Sequence, residues 1–144
     1  MKVVVQRVLE SSVKVEEKIV GKIDNGYMLL VSFTYGDNIE KIDYMIKKIL
    51  NLRIFDDDNG IMNKSILDVQ GSVLSISQFT LYADTSKGNR PSYIKALKSE
   101  DAKTLYDNFN KRLSKFIKVE TGVFGGDMKV SLVNDGPVTI IIEK

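Results

Sequence analysis

Three short segments concentrate the side chains able to do chemistry in this 144-residue chain. Ser77-Gln78-Phe79-Thr80-Leu81 places two hydroxyls and a carboxamide at what reads as the tip of a buried strand, where they could meet a ligand. Lys87-Gly88-Asn89-Arg90-Pro91-Ser92 is a basic turn; its glycine permits close backbone approach and its arginine suits a phosphate or carboxylate. Asn134-Asp135-Gly136-Pro137-Val138-Thr139 sets a proline, which lacks the N–H a ladder needs, between two strand-like runs. Each segment also has a plainer reading: side chains satisfying a loop backbone, a surface loop before a helix, and a hairpin turn.

The missing residue types narrow the chemistry further. Without cysteine there is no disulfide, thiolate nucleophile or cysteine-ligated zinc, and without histidine the usual proton shuttle near neutral pH is gone. Asp56-Asp57-Asp58-Asn59-Gly60 resembles a calcium loop only superficially. With Gly60 at the sixth loop position, Phe55 falls at the first and Ile66 where the bidentate glutamate belongs, so a solvated turn is expected. The net charge of +2 does not by itself announce a nucleic-acid binder. No apolar run approaches the roughly 20 residues that cross a bilayer, and a cytoplasmic location without membrane attachment is the expectation.

The elements that must position these segments follow from periodicity. Val3 to Leu9, Val13 to Glu16 and Ile19 to Asp24 read as strands, the last ended by Asn25-Gly26, and Tyr27 to Phe33 suits a central strand. Ile39, Ile42, Met45, Ile46 and Ile49 recur at helical spacing, with Asp37 and Glu40 placed for a capping box. Arg53 to Phe55 and Val73 to Ser77 read as strands. Ser99 should cap a second helix whose buried stripe is Ala102, Leu105, Tyr106, Phe109, Leu113 and Phe116. Met128 to Val133 and Val138 to Ile142 would close the chain as a strand pair around Gly136-Pro137. The expected architecture is one α+β domain over 1–144, with an antiparallel, barrel-like β-sheet and two principal helices.

Together these segments resemble the bacterial-type D-aminoacyl-tRNA deacylase family, also called D-tyrosyl-tRNA deacylases, over nearly the whole chain. The resemblance is carried by Met1-Lys2-Val3-Val4-Val5-Gln6-Arg7-Val8, Leu52-Arg53-Ile54-Phe55 with Met62-Asn63, Ser77 through Asp84 and Gly88-Asn89-Arg90-Pro91. It continues through Thr121-Gly122-Val123-Phe124-Gly125 and Asn134 through Thr139. Gly126 stands where alanine is common, and Ser32 where glycine is usual.

The resemblance implies a D-aminoacyl-tRNA deacylase-like fold and hydrolysis of D-aminoacyl-tRNA to a D-amino acid and tRNA, without metal or cofactor. It also implies a homodimer with sites at the subunit interface. Ser77, Gln78, Phe79 and Thr80 would line each catalytic pocket, and a cis Gly136-Pro137 from the partner would reject L-aminoacyl esters. Glycyl-tRNA, having no side chain to block, would be attacked as well. Lys87 and Arg90 are candidate tRNA contacts.

For the chemistry, an aminoacyl ester is reactive enough that orientation beside water and the ribose 2′-hydroxyl supplies much of the rate. Backbone N–H groups near Phe79 and Thr80 would stabilise the oxyanion. Thr80 as nucleophile is the alternative, and lacks an evident base. A non-catalytic RNA-binding module and an interaction protein are the readings from other classes; no aromatic pattern of the RNA-recognition type is visible.

Overall fold

A computed structural model describes residues 1–144. Its organising element is β1 (Lys2–Val15), a long strand hydrogen-bonded along both edges. The two runs read as separate strands, Val3 to Leu9 and Val13 to Glu16, are parts of this one strand. On one edge lie β2 (Lys18–Ile23) and β3 (Gly26–Ser32). Asn25-Gly26 therefore makes no hairpin; it bends the chain between two strands that pair with successive stretches of β1. Gly26 is required at that bend, since its φ is +155° and a Cβ would overlap the Ser72 carbonyl.

Two helices then carry the chain across the sheet. From β3 it enters α1 (Ile39–Asn51), passes the short β4 (Phe55–Asp56) and β5 (Met62–Lys64), and returns as β6 (Ser72–Ser77) parallel to β3. From β6 it runs through α2 (Ser99–Leu113) to β7 (Val119–Thr121), parallel again. Parallel neighbours need crossovers of this length, so the sheet is mixed and not purely antiparallel as expected. It curls into a nearly closed barrel: at Gly21 a Cβ would come within 2.8 Å of the Thr121 carbonyl oxygen. Neither helix is long and apolar enough to cross a membrane.

The two faces of β3 feed two cores, which is why its sequence is almost continuously apolar. Tyr27, Leu29 and Val31 join Val3, Val5 and the α1 and α2 stripes in the larger cluster. Met28 packs with Val8, Val13, Ile23, Leu74 and Ile76 inside the barrel. α1 buries Ile42, Met45, Ile46 and Ile49 as its spacing predicts, and α2 buries Ala102, Tyr106, Phe109 and Leu113. Phe116 lies past the end of α2 and is exposed, because the helix stops at Leu113.

The caps differ from expectation for tertiary reasons. Asn38, not Asp37, caps α1, accepting from the Lys41 N–H at 3.0 Å. Asp37 is engaged elsewhere: its buried carboxylate meets the Met1 ammonium at 2.7 Å, accepts the Thr34 N–H at 2.8 Å and pairs with Lys41 at 3.1 Å. The same ammonium donates to the Lys144 carbonyl at 2.6 Å, tying β1 to the chain's last residue. Lys98 precedes α2 without a side-chain cap, and Ser99 is already helical.

β8 (Lys129–Glu143) corrects the largest expectation. Its halves do not form a hairpin with each other. Lys129 to Val133 pairs with Lys14 to Glu10, and Thr139 to Glu143 with Gln6 to Lys2, so both halves lie on the same edge of β1. Between them residues 135–138 have only Arg7 opposite, an enlarged bulge that admits proline because the ladder is already broken there.

Breaking a buried ion pair by removing one partner costs about 3–5 kcal/mol. Asp37→Ala is therefore expected to lower the unfolding free energy by about 3 kcal/mol in urea titration. A loss below about 1 kcal/mol would show that the Met1 ammonium is satisfied without it.

Candidate active site

The principal cavity, about 530 Å³, opens where the ends of β3 and β6 face the segment before α2 and the turn before β8. Ser77 closes β6 and lines this cavity with Gln78 and Phe79. The Gln78 N–H donates to the Val31 carbonyl at 2.8 Å, extending the β3–β6 pairing by one bond, and the chain then tightens into a single 3₁₀ turn, Phe79–Tyr82. The first N–H groups of such a turn have no acceptor inside it. They belong to Phe79 and Thr80, the residues singled out for an oxyanion.

Side chains fix the turn locally. Gln78 Nε2 donates to Thr80 Oγ1, and Ser32 Oγ donates to the Phe79 carbonyl at 3.5 Å. The Thr80 hydroxyl thus sits against an amide donor, which has no capacity to take its proton. The Phe79 ring is 57% exposed and meets Tyr93 edge-on, centroids 5.1 Å apart at 69°. Val31, Phe33, Ile76, Leu97 and Phe124 supply apolar walls. No aspartate, glutamate, lysine or arginine lines the cavity, and the Tyr93 phenol is its one ionisable group.

The bulge at 135–138 is held from beneath by Arg7, which is only 5% exposed. Arg7 Nη1 donates to the Ile54 carbonyl at 2.7 Å and lies 3.4 Å from the Asp56 carboxylate. Its Nε is 2.9 Å from the Asp135 carboxylate but is not aligned to donate, so that contact is ionic and not a hydrogen bond. Asn134 Nδ2 bridges the bulge, donating to the carbonyls of Arg7 at 2.9 Å and Val138 at 3.0 Å. Gly136-Pro137 is a cis peptide, with Gly136 at φ +111°. A Cβ on Gly136 would lie 2.8 Å from Val138 Cγ2 and 3.2 Å from Arg7 Nη2. Neither Gly136 nor Pro137 lines the cavity of its own chain.

Lys87 and Arg90 lie on an exposed loop closed by paired backbone bonds, Asp84 N–H to Ser92 O at 2.8 Å and Ser92 N–H to Asp84 O at 2.9 Å. They do not line the cavity, but Tyr93, which follows the loop directly, does. The loop is therefore at the cavity's margin. The Asp84 carboxylate accepts the Ser86 N–H at 3.0 Å and pairs with Lys95 at 3.0 Å.

A family model described as D-Tyr-tRNA(Tyr) deacylase matches residues 4–143. The chain belongs to that family. It is accordingly a hydrolase of aminoacyl-tRNA ester bonds, and the RNA-binding module and interaction protein give way to an enzyme. A solved structure of a c-Myc DNA unwinding element binding protein is 39% identical and superposes with a TM-score of 0.95, covering 100% of this chain and 99% of the other. A probable eukaryotic D-amino acid tRNA deacylase is 17% identical with a TM-score of 0.84, covering 98% and 97%; at that identity the shared property is the fold.

Within this deacylase, Arg7 is the residue that the segment-by-segment reading overlooked as a site element. A signal for it was present: Val3, Val5 and Arg7 share one face of β1 by the two-residue period, so an arginine falls where the core continues. A charge placed there must be paired, and its partners are the bulge and the carbonyl preceding β4.

Hydrogen bonds from Ser86, with Lys95 beside it, hold the Asp84 carboxyl well below its usual value near 3.8. A depressed carboxyl contributes to closure above the unfolded pKa and loses that contribution only as pH falls through the depressed value. The Ser86 amide shift in NMR is expected to stay constant from pH 7 to below pH 3.8. A midpoint at the ordinary aspartate value would show the loop open in solution.

Proposed function

We propose that this deacylase acts in the cytoplasm as a homodimer, releasing D-amino acids from D-aminoacyl-tRNA and sparing L-aminoacyl-tRNA. The observation that carries the mechanism is the cavity without carboxylate, lysine, arginine or histidine side chains. With no protein base at hand, the proton-handling group belongs to the substrate. The terminal ribose 2′-hydroxyl orients and activates water, and the water oxygen attacks the ester carbonyl carbon. Backbone N–H groups of Phe79 and Thr80 stabilise the oxyanion. The bond to the ribose 3′-oxygen then breaks and that oxygen takes a proton, leaving tRNA and a free D-amino acid. Thr80 as nucleophile has less support, since its hydroxyl accepts from Gln78 and meets no base.

Chiral selection is assigned to Gly136 and Pro137 of the second subunit, whose carbonyl oxygens would accept from the substrate ammonium and leave no room for an L side chain. Discrimination of about 10,000-fold corresponds to roughly 5.5 kcal/mol, beyond the 1–3 kcal/mol typical of a soft apolar difference. Rigid backbone supplies it, and the anchoring of the bulge by Arg7 and Asn134 supports that role. The absence of Gly136 and Pro137 from their own chain's cavity fits insertion into a partner's. Leu9, Val133 and Ile141, exposed on β1 and β8, offer apolar surface that a second copy would cover. Lys87 and Arg90, at the cavity margin, would meet tRNA phosphates. Because the filter is steric, it does not exclude glycyl-tRNA, which is a further substrate, including glycine mischarged on alanine tRNA.

Release of labelled tyrosine from D- and L-tyrosyl-tRNA in the presence of chelator tests the reading, with rapid release expected from the D form alone. Equal release from both would keep the hydrolase and discard the filter. A D-tyrosyl substrate ending in 2′-deoxyadenosine, esterified through the 3′-oxygen, should be hydrolysed at least about 100-fold more slowly, the scale of a lost proton-transfer group. An unchanged rate would sink RNA assistance. Gly136→Ala, whose Cβ meets Val138 and Arg7, is expected to displace the bulge and reduce D-over-L selectivity or activity by about 100-fold, some 2.7 kcal/mol. Complete resistance of glycyl-tRNA would count against rejection by backbone alone.

A further inference from the structure

Two asparagines of this chain, Asn25 and Asn59, are followed by glycine, and the fold treats the two pairs differently. In an Asn-Gly pair the backbone can attack the side-chain amide with least hindrance, because glycine has no Cβ to shield its nitrogen. At the first pair that nitrogen is out of reach. Gly26 is buried, opens β3 and pairs with Val8 on one side and Ser72 on the other, and a Cβ on it would overlap the Ser72 backbone. The Asn25 carbonyl accepts the Ser72 N–H at 3.0 Å, so the peptide unit linking the pair is itself part of the sheet. The second pair stands at the tip of the hairpin between β4 and β5, with both residues exposed. Gly60 has φ +74°, and nothing lies within 4 Å of the position a Cβ would take. The Asn59 backbone N–H is pinned on the Asp57 carboxylate at 2.9 Å, while its carboxamide makes no hydrogen bond to the protein. The Gly60 N–H donates to the Asp57 carbonyl at 2.9 Å, a bond of an exposed turn that opens at little cost. Lys64 Nζ, 2.8 Å from the Asp58 carboxylate, offsets part of the negative charge that would oppose loss of the Gly60 amide proton.

We propose that Asn59 is a site of spontaneous covalent modification in the native protein, cyclising with Gly60 and hydrolysing to aspartyl and isoaspartyl forms, while Asn25 is spared. The Gly60 nitrogen gives its proton to hydroxide and attacks Asn59 Cγ, forming a C–N bond. The bond from Cγ to Nδ2 breaks, and Nδ2 takes up a proton and leaves as ammonia. Water then opens the five-membered imide: addition at Cγ yields aspartate, and addition at the former backbone carbonyl yields isoaspartate. The sum is one water consumed and one ammonia released, with no redox change. Both products add a negative charge beside Asp57 and Asp58. The isoaspartyl form also lengthens the main chain by one carbon, which separates the N–H groups of Asn59 and Ile61 that now share the Asp57 carboxylate at 2.9 and 3.2 Å. The hairpin loosened in this way carries Asp56, one of the two carboxylates beside Arg7. The modification therefore acts on the support of the 135–138 bulge from outside the cavity, and it needs neither substrate nor a second protein.

The test incubates the purified full chain at mildly alkaline pH, natively and in concentrated urea, and follows each asparagine by peptide mapping with fragmentation that separates aspartate from isoaspartate. In the native protein Asn59 is expected to convert at least about 10-fold faster than Asn25, because attack by the Gly26 nitrogen requires the sheet to open. In urea the two rates should converge, since both sites then have the same dipeptide in an open chain. Asn59→Gln, which cannot form the five-membered ring, should remove the signal at that position and leave the slow conversion at Asn25 unchanged. Faster amide exchange at Ile61 in the isolated isoaspartyl fraction would show the turn released. Equal native rates at the two sites overturn the proposal, as does conversion of Asn59 in urea alone. Both results would leave the deacylase reading as it stands.

Discussion

A guanidinium buried beneath a sheet has to be met by carbonyl oxygen and negative charge, and in this fold that requirement draws two distant segments to Arg7. The carbonyl of Ile54 and the carboxylate of Asp56, both at β4, and the carboxylate of Asp135, far away in sequence, approach the same side chain. Burying such a charge unpaired costs several kcal/mol, so the bulge at 135–138 is held in register with β1 by electrostatics as well as by its flanking ladder. Removing Arg7 would take the shared partner from both carboxylates and leave the bulge to Asn134 and its flanking ladder. The nearby Tyr27 is tied to the same arrangement: burial pushes its phenol above the ordinary value, partly opposed by the Arg7 charge, and its ring stacks on Phe55 at 5.2 Å. The apolar and charged parts of the fold meet at this point.

The contrast between that charged underside and the uncharged cavity organises the proposed chemistry. Charges are paired under the bulge, while neutral dipoles face the cavity. Preorganised neutral donors stabilise a developing oxyanion without first having to be stripped of counter-charges. They also place the demand for a proton acceptor on the substrate, which brings a hydroxyl next to the ester that breaks. In the proposed mechanism orientation supplies the rate, and the strands and the 3₁₀ turn fix the geometry of the cavity wall.

Much of this is legible in the sequence. The isoleucine spacing of α1, the apolar run of β3 and the polar Ser77–Thr80 segment at the end of β6 stand where periodicity and turn chemistry put them. The turn at Asp57 to Gly60 is present, with the Asp57 carboxylate accepting from the N–H groups of Asn59 and Ile61. What local pattern did not reveal was pairing at a distance. Residues 129–143 look like two strands and a turn because proline ends a ladder; that both arms return to one edge of β1 is a property of β1's length. Two helices between apolar strands point to parallel pairing by the crossover rule, a signal that the antiparallel expectation left unused. Asp37 and Asn38 are equally good caps in isolation, and the choice is made by an ammonium group that arrives from the start of the chain.

The two arms of β8 are registered on β1 independently of each other. A one-residue slip in a sheet turns every following side chain to the opposite face, but here a change of length between Asn134 and Val138 would be absorbed before the second arm begins. The excursion is thus a replaceable cassette clipped at both ends to one strand. Sequence drift can reshape its tip while the barrel, the helices and the cavity keep their registers.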